Sequence, residues 1–235
     1  MSITIAGAGI GGLTAALSLH AAGFDCQVLE AVRHPRPVGA GINLLPHAVR
    51  ELTELGLGEA LAQAAIPMEE MVHFDRFGNR IWGMARGLAA GYHWPQYAIH
   101  RAELQTILWD AVVDRLGPDA VRTGLVLERF TPRASAVEVE LRDRETELRT
   151  TLETDVLIGA DGLHSAVRAQ LHPGEGRALW NGIHTWRGVT EAAPFLDGRT
   201  MIVAGSNRRA RASQNFPSCT PPVECQRLSS RSVMR

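Results

Sequence analysis

Lysine is absent from the 235 residues: all 24 basic side chains are Arg. We read this as the imprint of a GC-rich genome, without functional content. A net excess of either charge is also missing. The net charge is −1 with His neutral, so nothing points to nucleic acid or an anionic membrane as a partner. No apolar run reaches the roughly 18 residues that a membrane-spanning helix needs. Cysteine is scarce, with Cys26, Cys219 and Cys225 alone, an odd count that argues against a disulfide framework and suits a reducing cytoplasm. A first strand expected from about residue 2 leaves no place for a signal peptide, which again points to the cytoplasm. The nine His include no His-Glu-x-x-His and no paired Cys/His spacing, so no metal site is expected. No Gly-x-Ser-x-Gly nucleophile elbow occurs. What remains is an ordinary globular composition, 45% hydrophobic and 21% charged, long enough to bury a substantial core.

The first thirty residues carry the clearest pattern. Ser2 to Ala6 reads as a short buried strand, followed by Gly7-Ala8-Gly9-Ile10-Gly11-Gly12, a Gly-x-Gly-x-x-Gly. A helix follows with Leu13, Ala16, Leu17 and His20 on one face, and Gly23 is placed to end it. Asp25 to Leu29 reads as a second strand closed by Glu30. Each part has a mechanical reason. Gly7 permits a tight turn, Gly9 lets the backbone approach a pyrophosphate, and Gly12 lets helix and strand pack closely. The helix start offers free N–H groups and a positive dipole end. Glu30 stands 18 residues after Gly12, where a carboxylate can accept both hydroxyls of a ribose. An acid there disfavours a 2′-phosphate, which leaves FAD and NAD as ligands of this unit.

A second pattern runs from Thr154 to Arg168: an apolar strand, then Gly159-Ala160-Asp161-Gly162, then Ser165 and Arg168 opening a helix. It resembles the FAD-dependent aromatic-ring monooxygenases of the p-hydroxybenzoate hydroxylase type, whose pattern is matched at each of those positions. The resemblance implies that Asp161, Gly162 and Arg168 approach the FAD pyrophosphate or serve NAD(P)H use. A structural reading stands beside it, in which Asp161 caps a helix beginning near His164 and Arg168 pairs with Asp161. Arg36-Pro37-Val38-Gly39-Ala40-Gly41-Ile42 resembles the family's glycine-rich stretch beside the flavin. Ile99-His100-Arg101 resembles its strand-to-helix step, with Arg101 reaching the cofactor and His100 a packed neighbour. Pro95 to Arg101, Val121 to Leu125 and Trp186 to Glu191 are most similar to phenazine-carboxylate hydroxylases within this family. The likeness covers about residues 2–205.

The resemblance implies an α/β fold: a Rossmann-like FAD-binding parallel sheet with a β-meander, plus a partial second sheet of a substrate domain. The FAD-binding part would be discontinuous, 1–70 and 100–175, and the partial substrate part 71–99 and 176–205. It implies FAD as cofactor, NADH or NADPH as reductant, O₂ as oxidant and a small aromatic substrate, with the flavin carrying the hard chemistry. Cofactor contacts are expected from Gly7, Gly9, Ile10, Gly11, Gly12, Glu30, Ala31, Arg36, Gly41, Ile42, Arg101, Leu125, Asp161, Gly162 and Arg168. No catalytic acid or base is named, and the oligomeric state is left open.

Between these motifs the pattern is legible in outline. Residues 46–64 read as amphipathic helix with Val49, Leu52 and Leu55 inward. Residues 70–83 read as strands about the turn Phe77-Gly78-Asn79. A helix is expected from about 101 to 116, with Leu104, Ile107, Leu108, Ala111 and Val112 inward. Residues 120–152 alternate apolar and polar, notably at Val137, Val139 and Leu141, and read as a strand leading into a three-stranded meander that returns to the parallel sheet at Val156. More strands of a second layer are expected over 183–204. Trp180 and Trp186 have two readings, packing or a wall for an aromatic substrate.

After Ser206 the character changes. The first 205 residues hold 18 Arg against 24 acids, whereas the last 30 hold 6 Arg against one acid, with two of the three Cys. We expect residues 206–235 to be disordered and to be an out-of-frame tail. The family's third motif, a Gly-Asp turn on the flavin side, has no counterpart, since no Gly-Asp dipeptide occurs in the sequence. The expected picture is thus an FAD-binding chain, a hydroxylase by descent, in which the flavin half of the site is incomplete. The alternatives are a non-catalytic truncated dinucleotide-binding remnant or an NAD-binding oxidoreductase.

Overall fold

The computed structural model describes residues 1–35, 39–190, 193, 196–204 and the short strand 210–212. Arg36, and the stretch 206–235 apart from residues 210–212, lie outside the described residues.

The chain opens with β1 (Ile3–Ala6), α1 (Ile10–Ala21) and β2 (Cys26–Glu30). Gly23 follows α1 with φ +83°, a conformation that costs a residue with a side chain but not glycine. Next come β3 (Gly41–Leu44), α2 (Pro46–Glu54), α3 (Gly58–Ala64) and β4 (Ile66–Met68). The amphipathic stretch is therefore two helices, broken at Gly56, whose φ is +77°. β5 (Glu70–Phe74) and β6 (Arg80–Ala85) form the expected hairpin, closed by Asp75, whose carboxylate accepts the N–H groups of Phe77 and Asn79. β7 (Gln96–His100) runs straight into α4 (Arg101–Leu116). Then follow β8 (Val121–Thr123), the meander β9 (Leu125–Pro132), β10 (Val137–Asp143) and β11 (Arg149–Thr154), and β12 (Val156–Gly159). α5 (Ala166–Leu171), β13 (Thr200–Ala204) and β14 (Ala210–Ala212) complete the described elements.

The central sheet has the order β12-β1-β2-β8, and all its pairings are parallel. A parallel sheet needs cover on both faces, and alternation along the strands supplies both. Ile5 and Val28 point to one side, where they are buried with Leu13 and Leu17 of α1 and Leu104 and Leu108 of α4. Their neighbours Ala6 and Leu29 point to the other, where Leu127, Phe130, Val139 and Leu141 of the meander and Val167 of α5 close over them. Two antiparallel or mixed sheets stand beside this core, β3-β7-β4 and β14-β13-β5-β6.

Four local expectations are corrected. His20 is exposed, not part of the inward face of α1, because it falls in the last turn, beyond the helix's buried residues. The helix after Asp161 begins at Ala166, two residues past His164, because the side chains that can cap it are those of Asp161 and Ser165. Residues 183–190 form no strand: Ile183 and Trp186 are 67% and 88% exposed, and among the described residues no neighbouring strand offers them a ladder. Strand structure in that region starts at Thr200, which pairs in parallel with Glu70. Finally, residues 210–212, read as part of a disordered stretch, pair antiparallel with Ile202 to Ala204. The edge of β13 offers a row of free backbone groups to any extended segment that returns beside it.

Candidate cofactor site

The strands β1, β2 and β12 end level with one another, Ala6 opposite both Leu29 and Gly159. From this edge the chain departs to opposite faces. The loop after β1 leads into α1 on one face, and the loop after β12 leads to α5 on the other. Adjacent parallel strands whose loops part in this way leave a crevice at their carboxyl ends, which is where α/β sheets bind ligands.

The glycines of the first loop divide into two kinds. Gly7 has φ +105°, donates its N–H to the Leu29 carbonyl at 2.7 Å, and a β-carbon on it would stand 2.5 Å from the Ala160 carbonyl oxygen. A β-carbon on Gly12 would stand 1.8 Å from the Gly7 carbonyl oxygen. These two are required by the fold. Around Gly9 and Gly11, by contrast, a β-carbon would meet nothing within 4 Å. They face open space at the start of α1, where no side chain caps the helix and no acid stands in its first turn. The first N–H groups of a helix have no acceptor within it. Ile10, half-buried, opens this turn. The site therefore offers free backbone donors, a positive dipole end and a glycine-lined approach, a combination that fits the pyrophosphate of a dinucleotide.

Glu30, the last residue of β2, turns back onto the loop. Its Oε2 accepts the N–H of Ala8 at 2.9 Å and its Oε1 accepts that of Val32 at 2.8 Å. Each carboxylate oxygen keeps a second lone-pair direction for a further donor. Beyond Glu30 and Ala31 a cleft of about 550 Å³ opens off the ends of β2 and β8, bounded by Arg33, His34, Gln105, Trp109 and Thr123. Its wall is braced from the meander. Arg33 pairs with Asp143 at 2.7 Å and Glu145 at 2.9 Å, and packs beside Gly124, the residue before Leu125. Leu125 itself pairs across the sheet with Asp143. The Asp143 carboxyl is held down at about 2, first by the backbone N–H groups of Thr146 and Glu145, with Arg33 contributing.

Arg101 is the first residue of α4 and is exposed; its N–H donates to the Ala40 carbonyl at 3.2 Å. Gly41 and Ile42 lie in β3 opposite His100 and Ile99, so the expected glycine stretch does meet the expected Arg step. Gly39, with φ +147°, lets the Arg101 side chain pack against it. His100 caps α4, its Nδ1 accepting the Ala102 N–H at 3.3 Å while Nε2 bonds the Gly39 carbonyl at 2.8 Å. One turn along the same face, Gln105 donates to the Ala8 carbonyl at 3.0 Å and so ties α4 to the glycine loop.

Asp161 touches the same loop by its backbone, which lies against Gly7. Its carboxylate is engaged locally: Oδ1 accepts from Ser165 Oγ at 2.5 Å and Oδ2 from the Ala166 N–H at 2.7 Å. Gly162 takes φ +80° beside it, a turn that only glycine makes without strain. Arg168 pairs with Glu175 at 3.0 Å and donates to the Leu163 carbonyl at 2.8 Å; these are its partners in place of Asp161. Among the described residues no group of three or more His, Cys, Asp or Glu could hold a metal. No described helix is long and apolar enough to cross a membrane.

Two residues that shape the site escaped the sequence. Gln105 had a usable signal, since it stands four residues after Arg101 on one helix face. Arg33 had none, because its partners lie 110 and more residues away.

A parallel sheet, a glycine turn at a helix start and an acid closing the second strand define a dinucleotide-binding α/β protein. The chain belongs to the FAD binding domain family, whose family model matches residues 1–208. It is 51% identical over 211 residues to "Phenazine 1,6-dicarboxylic acid hydroxylase PhzS" of Lysobacter antibioticus, covering 89% of this chain and 52% of that protein. It is 34% identical over 194 residues to "3-hydroxybenzoate 6-hydroxylase 1" of Aquipseudomonas alcaligenes, covering 81% and 48%. Among solved structures it is similar to HpxO of Klebsiella pneumoniae in complex with FAD and uric acid, at 33% identity and TM-score 0.60 over 72% of this chain and 41% of that one. It is also similar to 2,6-dihydroxypyridine-3-hydroxylase of Arthrobacter nicotinovorans, at 26% identity and TM-score 0.67 over 86% and 48%. The chain spans about half the length of the curated relatives it matches.

Proposed function

We propose that this chain holds the adenosine diphosphate half of FAD in the crevice between the β1 and β12 loops. The observation that carries the reading is the open space before Gly9 and Gly11 at an uncapped helix start, with Glu30 one strand away. The pyrophosphate sits on the free N–H groups of the first turn of α1. Glu30 takes the ribose hydroxyls on its remaining lone pairs, and the cleft beside Ala31 and Leu125 takes the adenine. Arg101, Gly41 and Ile42 line the path from the phosphates toward the flavin. Asp161 shapes the turn that carries Gly162 past the phosphates, and Arg168 supports the same turn through the Leu163 carbonyl.

In the whole protein, the bound flavin would accept hydride from NADH or NADPH and activate O₂ for hydroxylation of a small aromatic substrate. This chain's part in that reaction is to bind and orient the cofactor. The division into a cofactor part, 1–70 and 100–175, and a partial substrate part, 71–99 and 176–205, belongs to this proposal, as does a cytoplasmic setting. Amide exchange of the 235-residue chain with and without FAD tests it. Protection is expected at Ile10 to Gly12, Ala31 to Arg33 and Gly162. Exchange unchanged at the first of these segments contradicts the assignment.

A further inference from the structure

We propose that Gln105 is a positioning residue that aims the phosphate-binding amides of the glycine loop. The proposal rests on the nucleotide-binding reading above. Between β1 and α1 the chain is Gly7-Ala8-Gly9, a segment whose glycines leave the peptide planes free to rotate. Both planes are nevertheless held by side chains from elsewhere. Glu30 accepts the Ala8 N–H at 2.9 Å, which fixes the Gly7–Ala8 peptide. Gln105 donates to the Ala8 carbonyl at 3.0 Å, which fixes the Ala8–Gly9 peptide.

The second of these bonds has a directional consequence. In a planar trans peptide the carbonyl and the following N–H point to opposite sides. Drawing the Ala8 carbonyl toward α4 therefore turns the Gly9 N–H away from α4. Gly9 faces space in which a β-carbon would meet nothing within 4 Å, and among the described residues no acceptor takes its N–H. With Gln105 gone, the Ala8–Gly9 peptide can rotate at little cost, since Gly9 tolerates either sign of φ. Rotation would present a carbonyl oxygen, not an N–H, to an incoming phosphate. Gln105 reaches this carbonyl across 97 residues of sequence and does so from the wall of the adjoining cleft.

The test measures ADP, FAD and adenosine affinity of the full chain, with ADP and adenosine read by displacement of FAD. Gln105→Met keeps the side-chain length and removes the donor; Gln105→Ala is the second variant should the first fail to fold. Loss of one neutral hydrogen bond predicts ADP and FAD affinity lower by about three- to tenfold. Adenosine, which lacks the pyrophosphate but still meets the cleft wall that Gln105 lines, should lose clearly less affinity than ADP. Gln105→Glu sets an ionised acceptor against the Ala8 carbonyl, so its ADP affinity should fall further and recover as the carboxyl protonates and can donate again. Equal losses for ADP and adenosine would make Gln105 a plain cleft wall and overturn the proposal. So would unchanged ADP affinity, or a Gln105→Glu variant indifferent to pH. A folded parent chain that binds neither ADP nor FAD overturns the nucleotide reading itself, before any variant is made.

Discussion

The carbonyl oxygen of Gly7 lies 1.8 Å from the point where a β-carbon on Gly12 would stand, so the turn and the first helix touch backbone to backbone. Gly11, next to it in α1, would place a β-carbon in empty space. Neighbouring glycines thus predict opposite phenotypes. Gly12→Ala should destabilise the chain by about 3 kcal/mol or more, since backbone must shift to admit it. Gly11→Ala should leave the melting temperature unchanged or raise it, because alanine is better in a helix by up to about 1 kcal/mol. Its methyl group would stand where the pyrophosphate comes, so FAD affinity should fall. Thermal melts paired with FAD titration check both.

Glu30 is expected to serve loop and ligand together. Glu30→Ala removes a charged acceptor from the ribose, a loss of about 1.5–3 kcal/mol, or about ten- to hundredfold in FAD affinity. It also leaves the Ala8 and Val32 N–H groups without their acceptor, so stability should drop as well. Glu30→Gln keeps one acceptor oxygen and should lie between the two in both measurements.

Asp143 makes the cleft wall sensitive to acid. Its carboxyl is lowered from 3.8 to about 2, mainly by the N–H groups of Thr146 and Glu145. A depressed folded value means that its stabilisation is complete above the ordinary carboxylate range and is lost as pH falls from about 4 toward 2. Melting temperatures of the parent and of Asp143→Ala should therefore differ most near neutral pH and converge in acid. A gap that widens in acid contradicts the assignment.

Asp161 supports α5 through Ser165 and the Ala166 N–H. Asp161→Ala should cost about 0.5–2 kcal/mol as a lost helix cap. Because its backbone lies against Gly7, the loss of this cap should also loosen the crevice, and denaturant unfolding followed by FAD titration separates the two effects.

The parts of the fold that the sequence revealed are those written in short-range chemistry. Glycine spacing placed the β1–α1 turn, alternation at Val137, Val139 and Leu141 placed the meander, and helical spacing at Leu104, Leu108 and Val112 placed α4. Of the strands expected over 183–204, the part over 183–190 failed because β-propensity needs a neighbour, and among the described residues no strand lies beside Trp186. The bracing of Arg33 by Asp143 and the hold of Gln105 on Ala8 were invisible because each joins segments that only the folded sheet brings together. At Asp161 the capping part of the motif is what the structure shows: its carboxylate caps α5, while its backbone lies against Gly7.

Competition at equilibrium decides whether the chain holds the adenosine diphosphate half of a dinucleotide. The purified 235-residue chain is titrated with FAD, with flavin fluorescence as the signal, and then challenged with ADP and with FMN. One FAD per chain is expected, displaced by ADP but not by FMN, which carries the flavin without the adenylate. Displacement by FMN but not by ADP, or a folded chain that takes up no FAD, would contradict it.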